Sequence, residues 1–223
     1  MSFPRITAAA VILAASVALS REVGAVAGGT HKSLGGETFV VDPGHGTRYP
    51  NGTALNVGAV GPGGVEERRV TLTIGEDLAA LLRAAGARVI LTRSYAQPYR
   101  VATDIVGDNR ARAALANQVR ATAFIALHAD ASLDSAAHGI SVFWLHANSV
   151  PLANAIRAQL APLHLGLAAF HARSLAVTRV ATVPAVLVEL GFITNPRDEG
   201  LLQTSAFQKR EAQALFTAIA QTF

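Results

Sequence analysis

Short apolar runs along the chain alternate with stretches in which apolar residues recur every three or four positions. Thr38 to Asp42, Arg88 to Thr92, Ala123 to His128, Ile140 to Leu145, Leu175 to Thr178 and Ala185 to Glu189 read as strands. Val70, Ile74, Leu78 and Leu81 form a helical stripe that predicts a helix from Val70 to Ala85. Further helices are expected over Asp108 to Arg120 and over Pro151 to Leu163 behind a Ser149 cap. A last one runs to about Gln221, opened by an S-x-x-Q capping box at Ser205 and Gln208. Phe39 to Val41 and Val186 to Val188 are continuously apolar, as strands are when both sheet faces are covered. The pattern predicts an α/β fold, with a single central, mostly parallel sheet of about six strands and helices on both faces. No repeat, low-complexity tract or dividing linker interrupts it after Thr38.

The first residues follow a different rule. Ile6 to Leu19 is an apolar run behind Arg5, short of the roughly 20 residues that a bilayer-spanning helix needs. With the small residues of Ala25-Val26-Ala27, residues 1–27 read as a signal peptide and 28–37 as a short flexible linker before a catalytic domain over 38–223. The expectation is therefore export to the periplasm or cell wall, with no stable membrane span after cleavage.

Among the 223 residues, 51% are hydrophobic and 15% charged, enough apolar material for one buried core. The absence of cysteine excludes disulfides and thiolate metal sites, so a zinc or iron ion would need His, Asp or Glu. A net charge of +4 without runs of like charge is a thin footprint for nucleic acid, and fits an anionic polymer better.

Candidate chemistry collects at the carboxyl ends of the predicted strands, where open α/β sheets bind ligands. His45 sits between two glycines in Asp42-Pro43-Gly44-His45-Gly46, directly after the first strand. His128 closes the third strand and Glu189 the sixth. Glu66 and Glu67 stand together at a helix start, and at about 100° per residue Glu67 falls on the buried stripe while Glu66 faces solvent. A buried carboxylate there needs a compensating cation or dipole. Two His and one carboxylate form a known open zinc set. His45, Glu67 and His128 lie in three separate segments of the chain, which excludes an HExxH helix. Arg93 and Arg112 read as structural ion-pair partners, Asn195 as a turn cap, and His138, His146, His164 and His171 as residues outside any ligand pattern.

The segments DPGHG (42–46), VGAVG (57–61), ERRVTL (67–72), LTR (91–93), RAALAN (112–117), ALHAD (126–130), HGISVFWL (138–145) and PAVLVELGFITN (184–195) resemble, in order, the zinc-dependent N-acetylmuramoyl-L-alanine amidases of bacterial cell walls. The resemblance implies hydrolysis of the amide between N-acetylmuramic acid and L-alanine in peptidoglycan. It implies Zn2+ held by His45, Glu67 and His128, and Glu189 as the catalytic acid/base. Two rival readings are a zinc peptidase cutting within the stem peptide and a non-catalytic wall-binding relative.

The chain departs from the family pattern in the loop Thr47 to Val65, which begins TRYPNGTALN. It departs also between His128 and Glu189, where the intervening stretch is too short to hold the zinc-blocking helix of regulated members. Only the connection Leu165 to Arg173 is expected to approach the metal, and the isolated protein is expected to need no activator.

Overall fold

The computed structural model describes residues 33–49, 55–163 and 166–223. The segment 1–27 read as a signal peptide, the tip of the 47–65 loop and His164 lie outside the described residues. At the centre, β3 (Arg88–Leu91), β1 (Thr38–Pro43), β5 (Ala123–Asp130) and β8 (Ala185–Phe192) pair in that order, all parallel. Beyond β8, β6 (Ile140–Trp144) runs antiparallel to it, and β7 (Leu167–Ala172) pairs with β6 in parallel at the edge. A separate two-stranded ladder joins β2 (Thr47–Arg48) to β4 (Arg100–Val101).

Alternation within the strands fixes the layers. Phe39, Val41, Ile125, Leu127, Val186 and Val188 face one core with Val70, Ile74, Leu78 and Leu82 of α1 (Glu67–Ala84), Leu152 and Ile156 of α3 (Val150–Leu160), and Leu215 and Ile219 of α6 (Ser205–Thr222). Val40, Phe124, Ala126, Ala185 and Leu187 face the other with Ala113 and Ala116 of α2 (Ile105–Gln118) and Val177 of α4 (Ala176–Val180). Each such fully buried aliphatic or aromatic side chain contributes about 1.5–3 kcal/mol relative to exposure. A short α5 (Pro196–Leu202) follows β8. Asn195 caps it, its side chain accepting from the backbone N–H groups of Arg197 (2.9 Å) and Asp198 (3.1 Å), as its position before Pro196 suggests.

Several expectations need correction. Leu175 to Thr178 is not a strand. The Thr178 hydroxyl accepts from the Leu175 N–H (3.1 Å) and donates to the Arg173 carbonyl (2.7 Å), which winds this β-rich stretch into α4. The sixth strand of the sheet is instead β7, inside the segment expected to be a loop near the metal. Ser149 does not cap α3; its hydroxyl accepts from the Ala185 N–H at 2.9 Å and ties the helix start to β8. The Ser205/Gln208 box is absent: Thr204 occupies the cap position and the Gln208 amide donates to the Leu202 carbonyl. The stretch expected as linker is docked by its end, because Leu34 is fully buried and its N–H reaches the Ala85 carbonyl at 2.9 Å.

Where β1 ends, the chain turns around Arg112, which is 1% exposed. Its Nε donates to Asp108 Oδ2 (2.9 Å), Nη1 to Asp42 Oδ1 (2.7 Å) and the Pro43 carbonyl (3.1 Å), and Nη2 to the His45 carbonyl (2.7 Å) and Thr47 Oγ1 (2.9 Å). Arg100 closes the network on Asp108 Oδ1 at 2.9 Å. Burial alone would raise the carboxyl of Asp42, but the Arg112 charge and the Thr92 hydroxyl outweigh it and hold it below its ordinary value; Asp108, where burial also works upward, is likewise held down by Arg112, Thr47 and Arg100.

A depressed folded-state pKa means that both carboxylates stabilise the fold above their unfolded pKa near 4 and that this stability is lost as pH falls through the folded values. We expect the unfolding free energy of the protein to decline steeply below about pH 4. Arg112→Met, which strands two buried acids, should cost about 3–5 kcal/mol and lower Tm on the order of 10 °C. Its acid decline should be shallower, as urea titrations at several pH values would show.

Candidate metal centre and active site

Three elements bring the predicted residues together at the carboxyl edge of the parallel strands. His45 lies just beyond β1 in the left-handed region, at φ 63°. The flanking Gly44 has no side chain for a physical reason, since a Cβ there would stand 2.5–2.7 Å from ring atoms of His128. His128 comes from the end of β5, and Glu67 is the first residue of α1. Glu67 is 4% exposed, on the inner side that the helical stripe predicts. Glu66 turns away to pair with Arg68 (2.6 Å) and Arg69 (2.9 Å).

Glu67 Oε1 stands 2.9 Å from His45 Nε2 and 3.1 Å from His128 Nδ1, and it accepts from the Ala129 N–H at 3.0 Å. Oε2 accepts from the Ala59 N–H at 2.9 Å. Burial alone would push this carboxyl up, yet the bonds and charges of His128 and His45 hold it well below the usual carboxylate range. His128 Nδ1 and His45 Nε2 are 3.2 Å apart, a separation at which two lone pairs repel unless a proton or cation lies with them. One ligand atom from each of the three residues lies within 4.8 Å of the others. Two imidazole nitrogens and a carboxylate oxygen are a donor set that suits a borderline divalent ion of the zinc type and leaves a position open. These residues could hold such an ion.

Glu189 is the strand-to-strand partner of His128 in the parallel register of β5 and β8, which puts both side chains on the same sheet face. Its Oε2 is buried with no hydrogen-bond partner. Burial, together with the negative charges of Asp130 and Glu67, pushes its carboxyl well above the ordinary value, with Arg173 opposing. A carboxyl shifted in this direction beside a candidate ligand histidine is a candidate for proton transfer.

Sequence reasoning missed the supports of this centre. Asn56 Oδ1 lies 3.1 Å from His45 Nδ1 and also accepts from the Gly58 N–H at 3.1 Å. The backbone donor fixes which amide atom is oxygen, so His45 Nδ1 carries the proton and Nε2 presents its lone pair inward. Glu199, 4% exposed on α5, receives the Gly63 N–H (2.9 and 2.8 Å) and the Val65 N–H (3.1 Å), pinning the loop that delivers Glu67. Arg93 is not an ion-pair partner as expected. It grips the carbonyls of Pro43 (2.9 Å), Gly44 (2.7 Å) and Arg68 (2.7 Å), stapling the His45 turn to α1. Arg112 does pair with acids, as expected.

Residues 39–221 match the family described as N-acetylmuramoyl-L-alanine amidase. The chain belongs to that amidase family. It is 30% identical over 191 residues to the Staphylococcus epidermidis protein named Probable cell wall amidase LytH, covering 85% of this chain and 60% of that relative's length. It is 28% identical to N-acetylmuramoyl-L-alanine amidase AmiA of Escherichia coli, over 86% of this chain and 78% of that protein. The solved structure of N-acetylmuramoyl-L-alanine amidase AmiC2 of Nostoc punctiforme superposes with a TM-score of 0.71 at 28% identity, covering 83% of this chain and 96% of that one. In this chain the His45, Glu67 and His128 cluster lies at the sheet edge where Glu189 stands in register with His128.

If Asn56 orients His45, Asn56→Leu should weaken retention of a divalent metal about 10–100-fold, the range for losing such an outer partner. Asn56→Asp, a stronger acceptor, should tighten it. Competition against a chromophoric chelator measures both, and an unchanged affinity in Asn56→Leu would remove Asn56 from the centre.

Proposed function

We propose that the protein is a zinc-dependent amidase, exported by residues 1–27 and acting in the periplasm or cell wall through the domain 38–223. It cleaves the amide between N-acetylmuramic acid and L-alanine in peptidoglycan. The observation that carries this reading is Glu67 held between His45 and His128, with the partnerless carboxyl of Glu189 beside His128 in register. Membership of the amidase family and the cell-wall names of its relatives support the substrate. Among the described residues no helix is long and apolar enough to cross a membrane.

His45 Nε2, His128 Nδ1 and Glu67 would hold the ion. When bound, zinc supplies Lewis-acid polarisation of the scissile carbonyl and makes a water molecule acidic near neutral pH. Glu189 takes the proton of the attacking water as the C–O bond forms. It returns that proton to the amide nitrogen as the C–N bond breaks, releasing the peptide amine and the lactyl carboxylate. Asn56 and the Ala59 and Ala129 N–H groups keep the ligands aimed, so geometry is not rebuilt at each turnover.

Glu189→Gln keeps the shape and removes the base, so turnover should fall by about 10²–10⁴-fold with zinc content unchanged. His128→Ala should lose metal and turnover, and Glu66→Ala should keep both. Mass spectrometry of digested sacculi is the deciding measurement. Free stem peptides with peptide-less glycans support the amidase, whereas shortened peptides still joined to muramic acid would show the stem-peptide peptidase instead.

Among the described residues between His128 and Glu189, α3 packs on α6 and β6, and α4 packs on α2 and β8. That packing supports a centre open without an activator. Purified protein should therefore release peptides from sacculi unaided. Negligible release, restored many-fold by an added cell-envelope extract, would show that inhibition is built in.

A further inference from the structure

Beside the metal centre, two arginines converge on one tyrosine. The guanidinium carbon of Arg48 lies 4.4 Å from the centre of the Tyr99 ring, and that of Arg68 lies 5.9 Å from it. Each arginine is tied by the chain to a residue of the cluster. Arg48 is three residues past His45, at most about 11 Å along an extended backbone, and Arg68 follows Glu67 directly. Thr47 points into the buried Arg112 network, so Arg48, next along β2, points the other way.

The balance of charge at this wall is positive. Glu66 is the acid paired there, and it is shared between Arg68 and Arg69. Arg48 is exposed and has no acidic partner among the described residues. Arg68 also keeps a buried Nε–H without an acceptor. Stacking uses the face of a guanidinium and leaves its N–H edge available, the geometry that receives a carboxylate.

We propose that Arg48, Arg68 and Tyr99 form a subsite for a carboxylate on the peptide side of the scissile amide, so that the protein prefers stem peptides with a free acid over those with a carboxamide. This rests on the amidase reading for the identity of the substrate. The subsite holds the peptide by a charged contact from β2 and the first turn of α1 while Glu189 acts from β8, and it discriminates by charge because an amide offers the guanidinium edge only a neutral acceptor.

The test compares N-acetylmuramoyl-L-alanyl-D-isoglutamate with the isosteric isoglutamine compound. Binding to the full chain carrying Glu189→Gln is followed by calorimetry, and turnover of the wild type by peptide release. We expect the acid to bind roughly tenfold tighter, the scale of a charged hydrogen bond, and Arg48→Gln or Tyr99→Leu to abolish that ratio. Arg157→Gln, which removes the same kind of stack from Phe170 at the other edge of the sheet, should preserve it. Equal binding of acid and amide, or equal losses for both in Arg48→Gln, would overturn the subsite even if the wild type cleaves both compounds. A tenfold preference without any cleavage would leave the subsite standing and overturn the amidase reading.

Discussion

A guanidinium buried at the end of β1 sets the position of everything the proposed chemistry uses. Arg112 delivers its donors to two carboxylates, a hydroxyl and the carbonyls of Pro43 and His45. Without it, the His45 carbonyl would lose its side-chain donor, at a cost on the order of 1–3 kcal/mol, and the Pro43 carbonyl would keep only Arg93. The carbonyls that leave β1 are therefore satisfied from below by α2, and the turn can expose an imidazole in a left-handed conformation that an unsupported chain would abandon. Arg93 repeats the device from β3's side, and its bond to the Arg68 carbonyl links the His45 turn to the helix that begins with Glu67. The two arginines act as cross-braces between ligands that the sequence places in separate segments, one in a strand-end turn and one at a helix start.

The glycine-rich loop before α1 extends the same logic to the third support. Gly61 and Gly63 let the loop before the helix fold closely around the Glu199 carboxylate, so the Gly63 and Val65 N–H groups ahead of α1 meet a buried acid from α5. Glu199 lies on the helix that directly follows β8, and β8 itself carries Glu189. A shift of β8 would thus be felt at both carboxylates of the site. Positioning is distributed over the sheet edge, and the cluster inherits the rigidity of four parallel strands.

The parts of this arrangement legible in the sequence were those with a local signature. Continuous apolar runs announced β1 and β8, and a helical stripe separated Glu67 from Glu66. The glycines around His45 marked a turn with an exposed ring. What escaped was encoded across long separations or overridden by context. The bond from Gly63 to Glu199 spans 136 residues, and no window of sequence contains it. Asn56 looks like an ordinary loop amide until the Thr47–Asn56 bridge brings it against His45. β7, Leu-Ala-Ala-Phe-His-Ala, lacks the alternation of a half-buried strand because it is a mostly exposed edge strand. Leu175 to Thr178 shows the opposite failure, where β-forming residues were diverted by one threonine hydroxyl.

Two carboxylates at one sheet edge face opposite environments, and this separates their duties. Glu67 has its lone pairs taken up by two imidazoles and two backbone N–H groups, so its charged form is held. Glu189 has a buried oxygen with nothing to accept from and two negative neighbours, so its neutral form is favoured. Pairs of acids pushed apart in this way divide into one that stays ionised and one that trades a proton. A divalent ion bound to Glu67 would favour the charged form of both. It would act most strongly on the ligand it touches and offset part of the upward shift at Glu189. The buried, unpartnered oxygen of Glu189 thus leaves a carboxyl poised for proton exchange at an edge where Glu67 is held charged.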